Sequence, residues 1–575
     1  MTDINLGFPI VKMVPSKGTI NHRTERIKTN LESQEIVESW VGKTRCGTLA
    51  HSGRTTSNFV EANRKRLTEV NMVRHKIIDF SELWKSIPWK KLRKNLFRLQ
   101  RRLFKAIQAE DTRRARNLQK LILKSYAARL LAVRQVSQLN NGRKTAGIDG
   151  VKSLNFKQRF TLAERLLKAN DWKHSKLREI PIPKKDGTTR MLKVPTMADR
   201  AWQCLVKYAL EPAHEALFHA RSYGFRPGRS AHDAQKVLFL NLSSRANGTS
   251  KRILELDIEK CFDRINHTSI MERVIAPQSI KIGIWRCLKA GVNPEFPEQG
   301  TPQGGVVSPL LANVALDGIE DIHYSIRYAD DMVVILKPND DADKILKDIQ
   351  EFLAIRGLKV SEKKTKLLLA TDGFDFLGWH FKVQANGKFR CVPSEDNYKA
   401  FRKKVKDIVN CSNYGARVKA MKLAPLVRGW RNYHRYCKLD GSRFSLWRTA
   451  YRAFKVFNKE KKLNRYTAME LIKKAFPAIP YSENRHVSVK GNKSPYDGDI
   501  TYWSKRNSKL YHGATSKCLK KQNHSCGYCG LKFTDDERVH LHHIDGKHNN
   551  WKPTNLIAVH QSCHQCIHTS KAGKA

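Results

Sequence analysis

The chain has 575 residues, with 107 Lys and Arg against 53 Asp and Glu, a net charge of +54 at neutral pH. So large a positive excess directs it to a polyanion, because surface cations gain free energy by releasing counterions condensed on a phosphate backbone. The 23 Phe, 16 Tyr and 11 Trp exclude a wholly disordered basic tail. No apolar run is long enough to cross a bilayer, so a soluble nucleic-acid-binding protein of roughly three to five domains is expected.

In chain order, residues 1–80 lack periodicity and read as an irregular extension of unknown role. From Trp84 the texture turns helical: Leu92, Leu96, Leu99, Leu103, Phe104 and Ile107 recur at helical spacing. Residues 90–134 carry 15 Lys and Arg against only Glu110 and Asp111, a one-sidedness that points to RNA contact. Residues 150–395 alternate strand-like runs (253–258, 328–336, 366–370) with helical stretches and turn signals, the pattern of an α/β body. Residues 399–465 return to helix, with 20 Lys and Arg against three acids, and a basic linker covers roughly 480–520. Of the rings in this helical region, Trp430 and Trp447 are expected in the core. Cys46, Cys204, Cys261, Cys287, Cys391, Cys411 and Cys437 stand alone and read as reduced thiols.

Two places in the central body carry chemistry. Asp257 ends the apolar run Ile253-Leu254-Glu255-Leu256, and residues 325–336 read as strand, tight turn, strand with Asp330-Asp331 at the turn. A carboxylate at a strand end or hairpin tip is exposed while its backbone is held rigidly. Two such sites side by side repel unless cations offset them, and paired divalent ions are what phosphoryl transfer uses on its attacking and leaving oxygens.

The C-terminus holds a second constellation. Cys526-x-x-Cys529 followed by His560-x-x-Cys563 is a four-ligand set at the spacing of a closed tetrahedral zinc site. His564 and His568, four apart, share a helix face, and His542 completes a three-imidazole set for a second cation. His543 is then left to take a proton from water, and Asn555 to fix the loop by hydrogen bonds.

The ordered motifs Ile180-Pro181-Ile182-Pro183-Lys184, Tyr223-Gly224-Phe225-Arg226-Pro227-Gly228-Arg229-Ser230, Leu256-Asp257-Ile258-Glu259-Lys260-Cys261-Phe262-Asp263, Thr301-Pro302-Gln303-Gly304-Gly305, Tyr328-Ala329-Asp330-Asp331 and Phe376-Leu377-Gly378-Trp379 resemble those of the reverse transcriptases encoded within mobile group II introns. Leu426-Val427-Arg428-Gly429-Trp430-Arg431-Asn432-Tyr433-His434 resembles their maturase domain, and the terminal histidines resemble HNH nucleases, with His560 standing where many zinc knuckles carry Cys.

The resemblance implies a multidomain α/β chain. A basic helical region (81–150) precedes the fingers and palm of a right-hand polymerase (151–395). Then follow an α-helical thumb/maturase domain (396–475), a basic DNA-binding linker (476–520) and a small zinc-containing HNH module of the ββα-metal type (521–575). Carried over by position, Asp257 and Asp330 would bind Mg²⁺ with Asp331 beside them. Phe262 would exclude a 2′-hydroxyl, Lys184 and Arg190 would clamp the dNTP triphosphate, and Gln303 and Gly304 would let the backbone approach the templating pair. Lys363 or Lys364 would serve as general acid. Cys526, Cys529, His560 and Cys563 would hold structural Zn²⁺, and His542, His564 and His568 a divalent ion of open identity, with His543 as base and Asn555 structural. The implied function is RNA-directed DNA polymerase, splicing maturase and target-nicking endonuclease. The partners implied are group II intron RNA, target DNA and dNTPs, with no membrane, and with a homodimer left open. The expected setting is a bacterial cytoplasmic ribonucleoprotein, with a plastid or mitochondrion as the alternative. A free-standing retron-type reverse transcriptase and a splicing factor without active enzymatic sites are the rival readings.

Overall fold

The structure is a computed structural model that describes residues 79–571 apart from 184–186, 188, 292–296, 440–443, 445, 461–462, 480, 512 and 534–538. The irregular extension expected over 1–80 therefore lies, through residue 78, outside the described residues, as does Lys184. The chain divides into two compact units, Met1–Pro88 with Leu154–Arg165, and Trp89–Ser153 with Leu166–Ala575.

In the first unit the helix Phe80–Ser86, capped by the Asp79 side chain, buries Trp84 edge-on against Phe160 of the helix Phe156–Arg165, with ring centroids 5.3 Å apart. The second unit begins with three helices, Trp89–Gln108, Thr112–Lys124 and Tyr126–Arg134. Their apolar stripes bury Leu96, Leu103, Phe104, Leu118 and Ile122. Polar anchors tie them to the long helix Met197–Glu215: Gln100 Nε2 donates to the Tyr208 carbonyl and Gln119 Nε2 to that of Ala209.

Strands β1 (Arg178–Pro183) and β2 (Thr189–Val194) form an antiparallel hairpin. The central sheet contains β3 (Arg252–Asp257), β4 (Ser325–Tyr328), β5 (Asp331–Leu336) and β6 (Lys366–Leu369) in the order β4-β5-β3-β6, all antiparallel. Strand alternation turns Ile253, Ile326, Val333 and Ile335 onto Ala234, Leu238 and Leu242 of the helix Ala231–Leu242. The same core runs on through β7 (Phe374–Phe376), β8 (Trp379–Val383) and β9 (Phe389–Pro393) into the helices Glu395–Asn410, Ala416–Tyr433, Trp447–Phe457 and Arg465–Ala475. Trp379 and Tyr433 are stacked in this core at 4.5 Å.

Trp430 is buried as expected, stacked on Phe401 at 4.7 Å with its Nε1 donating to Asn397 Oδ1. The core placement of Trp447 is corrected: its ring is 68% exposed. The inner face of its helix is taken by Ala453 and Phe457, so position 447 falls on the outer face.

Residues 476–520, read as a basic linker, are held against the central body. The fully buried Asp233 carboxylate accepts from Arg506 Nη2 (2.9 Å), from the Val489 amide (2.8 Å) and from the Ser230 hydroxyl, with the His486 ring at 3.2 Å. These donors hold Asp233 ionised far below the usual carboxylate range despite its burial. A buried guanidinium, an imidazole and a backbone amide meeting on one carboxylate cannot be read from a segment whose sequence shows mostly charge. The chain closes with β10 (Val539–His543) paired antiparallel to β11 (Leu556–His560) and the helix Gln561–Lys571. Among the described residues no helix is long and apolar enough to cross a membrane.

Candidate functional site

Asp257 is the last residue of β3 and pairs with Asp331, the first of β5, while Tyr328 of β4 pairs with Asp331 from the other side. Ala329-Asp330 is therefore a two-residue turn that puts Asp330 at the hairpin tip beside the other two acids. Ala329 takes a left-handed φ of 60°, unfavourable for a residue with a Cβ. Surrounding contacts impose it. Arg327, 0% exposed, donates from Nη1 to the Ala329 carbonyl (3.1 Å) and to Asn313 Oδ1 (3.0 Å), from Nη2 to Ser222 Oγ (2.9 Å) and from Nε to Glu320 Oε1 (2.7 Å). Gly224 lies so close that a Cβ there would stand 2.4 Å from the Ala329 amide nitrogen. Arg327 escapes sequence reading because, in so basic a chain, an arginine reads as surface charge. Its one signal is its position inside a strand-like run.

Burial, with Asp330 and then Asp257 adding like charge, pushes the Asp331 carboxyl up to about 6, and burial also raises Asp330. Such a set favours a cation, and Lys364 supplies one: its ammonium is paired with Asp257 Oδ2, which raises the lysine's own pKa. Of the two lysines left open by the sequence, it is Lys364 that reaches the acids.

A chain of contacts runs from β2 to the short helix Cys261–Arg264. Arg190 Nε donates to Gln303 Oε1, and Gln303 Nε2 in turn donates to the Asp263 carboxylate at 3.1 and 3.2 Å. Asp263 adjoins Phe262, whose ring meets that of Phe225 edge-on at 6.3 Å. The Lys193 amide donates to the Gln303 carbonyl at 2.8 Å. Gly304 has φ +120° and lies against the Lys193 carbonyl, 2.8 Å from where a Cβ would be, so only glycine fits there. Asp263, the hinge of this chain, has no assigned role in the sequence reading.

In the C-terminal module the ligand atoms of Cys526, Cys529, His560 and Cys563 lie within 4.8 Å of one another, all four residues buried. His560 Nδ1 is 3.3 Å from Cys529 Sγ and 3.8 Å from Cys563 Sγ. Hydrogen bonds from Cys529 and Cys563 hold the Cys526 thiol far below its ordinary range, as a thiolate donor needs. This donor set fits zinc. A second group, His542, His564 and His568, also has its nitrogens within 4.8 Å. Burial and the surrounding imidazoles push His564 down to about 4, leaving it neutral and able to ligate. His540, two residues before His542 on the same strand face, adds a ring 5.3 Å from His564 that the spacing argument missed.

Strand alternation puts His543 on the opposite face from His542. There its ring meets His548 at 5.3 Å and Trp551 at 5.2 Å, and its buried Nε2 has no hydrogen-bond partner. Asn555 Nδ2 donates to Asp545 Oδ1 and to the Asn550 carbonyl, and its Oδ1 accepts from the Asp545 amide, closing the loop that follows His543.

Residues 182–381 match the family described as reverse transcriptase (RNA-dependent DNA polymerase), residues 84–166 the N-terminal domain of reverse transcriptase, and residues 398–467 the group II intron, maturase-specific domain. The chain is 41% identical over 408 residues to maturase-like protein 1 of Euglena gracilis, covering 70% of this chain and 89% of that protein. It is 33% identical over 190 residues to the group II intron-encoded protein LtrA of Lactococcus lactis, 32% of this chain and 31% of that one. The solved apo telomerase of Candida tropicalis aligns with a TM-score of 0.33 at 14% identity, over 53% of this chain and 62% of that chain, too slight a likeness to bear on the fold. With reverse transcriptase and maturase domains in sequence order, and a relative of this identity over most of its length, the chain belongs to the family of group II intron-encoded reverse transcriptases and maturases.

Proposed function

We propose that this protein is a three-activity intron-encoded protein: it copies RNA into DNA, helps its intron RNA fold for splicing, and nicks the DNA target so that the new 3′ end primes synthesis. The observation that carries the reading is the register that faces Asp257 with Asp331 and sets Asp330 at the adjoining turn. Asp257 and Asp330 would hold Mg²⁺, a fit supported by the raised carboxyls of Asp330 and Asp331, which a cation would relieve. Bound there, the ions supply Lewis acidity at the attacking 3′ oxygen and the leaving pyrophosphate.

The remaining work falls to the chain's own groups. Arg190, held by Gln303, and Lys184 grip the triphosphate. The Phe262 ring, backed by Phe225, fills the space a 2′-hydroxyl would need. Lys364, kept protonated by the acids, is placed to give a proton to pyrophosphate. The basic helices of 90–134 and 399–465 bind intron RNA and shift its folding equilibrium toward the splicing-competent form. The match to the maturase-specific domain favours this over the retron-type alternative.

In the C-terminal module, Zn²⁺ at Cys526, Cys529, His560 and Cys563 would hold the fold, and a divalent ion at His542, His564 and His568 would supply charge at the scissile phosphate. His543, with its unpartnered Nε2, takes the proton of the attacking water. The test uses the full chain with its intron RNA on target DNA. His543→Ala should abolish nicking while zinc content and primer extension stay intact; an unchanged nick, or loss of zinc, would contradict the assignment.

A further inference from the structure

The maturase region interleaves aromatic rings with its cations, and the structure sorts them into core and surface. Trp430 and Tyr436 are buried, and Tyr433 is committed to Trp379 and to the Leu377 carbonyl, which its hydroxyl reaches at 2.7 Å. Trp447 instead is 68% exposed, on the outer face of the helix Trp447–Phe457. One turn on, Tyr451 is 46% exposed and parallel to it, with centroids 5.6 Å apart and planes 1° from coplanar orientation. Lys455 continues the row, its ammonium 5.0 Å from the Tyr451 centroid, and Arg448 and Arg452 flank it, both exposed. The helix carries three cations and no acid. A ring pair one helical turn apart stabilises its helix far less than burying the indole would, so helix stability does not account for the exposure.

We infer that Trp447 and Tyr451 form a stacking platform for an unpaired base of single-stranded RNA, with Arg448, Arg452 and Lys455 on the adjoining phosphates. Parallel rings offer a flat face to any base, and the cations fix the backbone without reading sequence. Duplex RNA has no base free to stack and meets only the cations. The inference rests on the RNA-binding reading above and adds where that surface takes hold of a single strand.

The test compares full-length wild type, Trp447→Ala, Trp447→Phe and Tyr451→Ala, measuring affinity for a single-stranded RNA oligonucleotide, the same sequence as DNA, and an RNA duplex, over a series of salt concentrations. Trp447→Ala should weaken single-stranded RNA binding by about tenfold or more, Trp447→Phe should recover most of it, and duplex affinity should not change. The salt slope should stay the same, because no phosphate contact is lost. Equal affinity of Trp447→Ala and wild type, equal loss on duplex RNA, or a loss on DNA alone would overturn the platform while leaving the maturase reading standing. Failure of the wild-type chain to bind RNA at all would overturn both.

Discussion

The three acids of the central sheet and the C-terminal Cys/His cluster are assembled in different ways. Asp257, Asp330 and Asp331 come from strands far apart in sequence and meet because a four-stranded sheet sets their register over a core shared with the helical region that follows. Cys526, Cys529, His560 and Cys563 meet within one short C-terminal module, whose own core among the described residues is small and built on Leu519, Phe533, Leu556, Ala558 and Val559 together with three of the cluster's cysteines. The first site is preformed by packing. The second has too little packing to stand alone, and the cluster's soft donors are what a metal would use to hold it.

The largest effect expected from this difference is on the module. Cys526→Ser should release one equivalent of zinc and melt residues 521–571 to proteolysis, since a structural zinc contributes roughly 10 kcal/mol or more. Primer extension should survive in the same preparation. Loss of both together would break the comparison.

A smaller effect tests the preformed site. Arg327 and Glu320 are an ion pair with no exposure, so Arg327→Leu leaves a buried uncompensated carboxylate and should cost about 3–5 kcal/mol in chemical denaturation. Replacing Glu320 as well should recover much of that. An Arg327 variant as stable as wild type would show that the hairpin is held by packing alone.

Residue for residue, a pH effect centred on the body is of similar size. Burial pushes His214 and His232 down to about 4 and His434 to about 3, so all three are neutral in the folded chain. The unfolded chain takes up protons near pH 6.5, so stability is full above that and falls as pH drops toward 4, by on the order of 3 kcal/mol per residue. Asp331 works in the opposite direction: its carboxyl, raised to about 6, ionises at a cost to the fold above that pH. Mg²⁺ should therefore stabilise the body more at pH 8 than at pH 5, as followed by denaturation; equal stabilisation at both would contradict the acid cluster.

Much of this was legible in the sequence where the signal is local. The run ending at Asp257, the strand-turn-strand around Asp330-Asp331 and the Cys-x-x-Cys spacing are each contained in a few residues, and β3 and β6 fall within a residue of the strand-like runs at 253–258 and 366–370, while β5 starts only at Asp331, three residues into the run 328–336. What stayed hidden depends on distant partners. Arg327 and Arg506 look like two more cations of a basic chain until Glu320 and Asp233 are found beside them in the core. Trp430 and Trp447 share a helical basic context, and only the packing of Ala453 and Phe457 decides which ring faces water. His543 and His542 are neighbours in sequence but occupy opposite faces of β10, so the separation of the three-imidazole group from the unpartnered Nε2 follows from strand geometry.

The most direct measurement is primer extension on an RNA template with Mg²⁺, run on wild type and Asp330→Asn side by side. Wild type should extend the primer with dNTPs, and Asp330→Asn should lose about 10³-fold or more in rate while keeping its zinc and its affinity for intron RNA. A wild-type chain that binds the RNA but adds no nucleotide, or a variant that extends as well as wild type, would contradict the account and leave a splicing factor in its place.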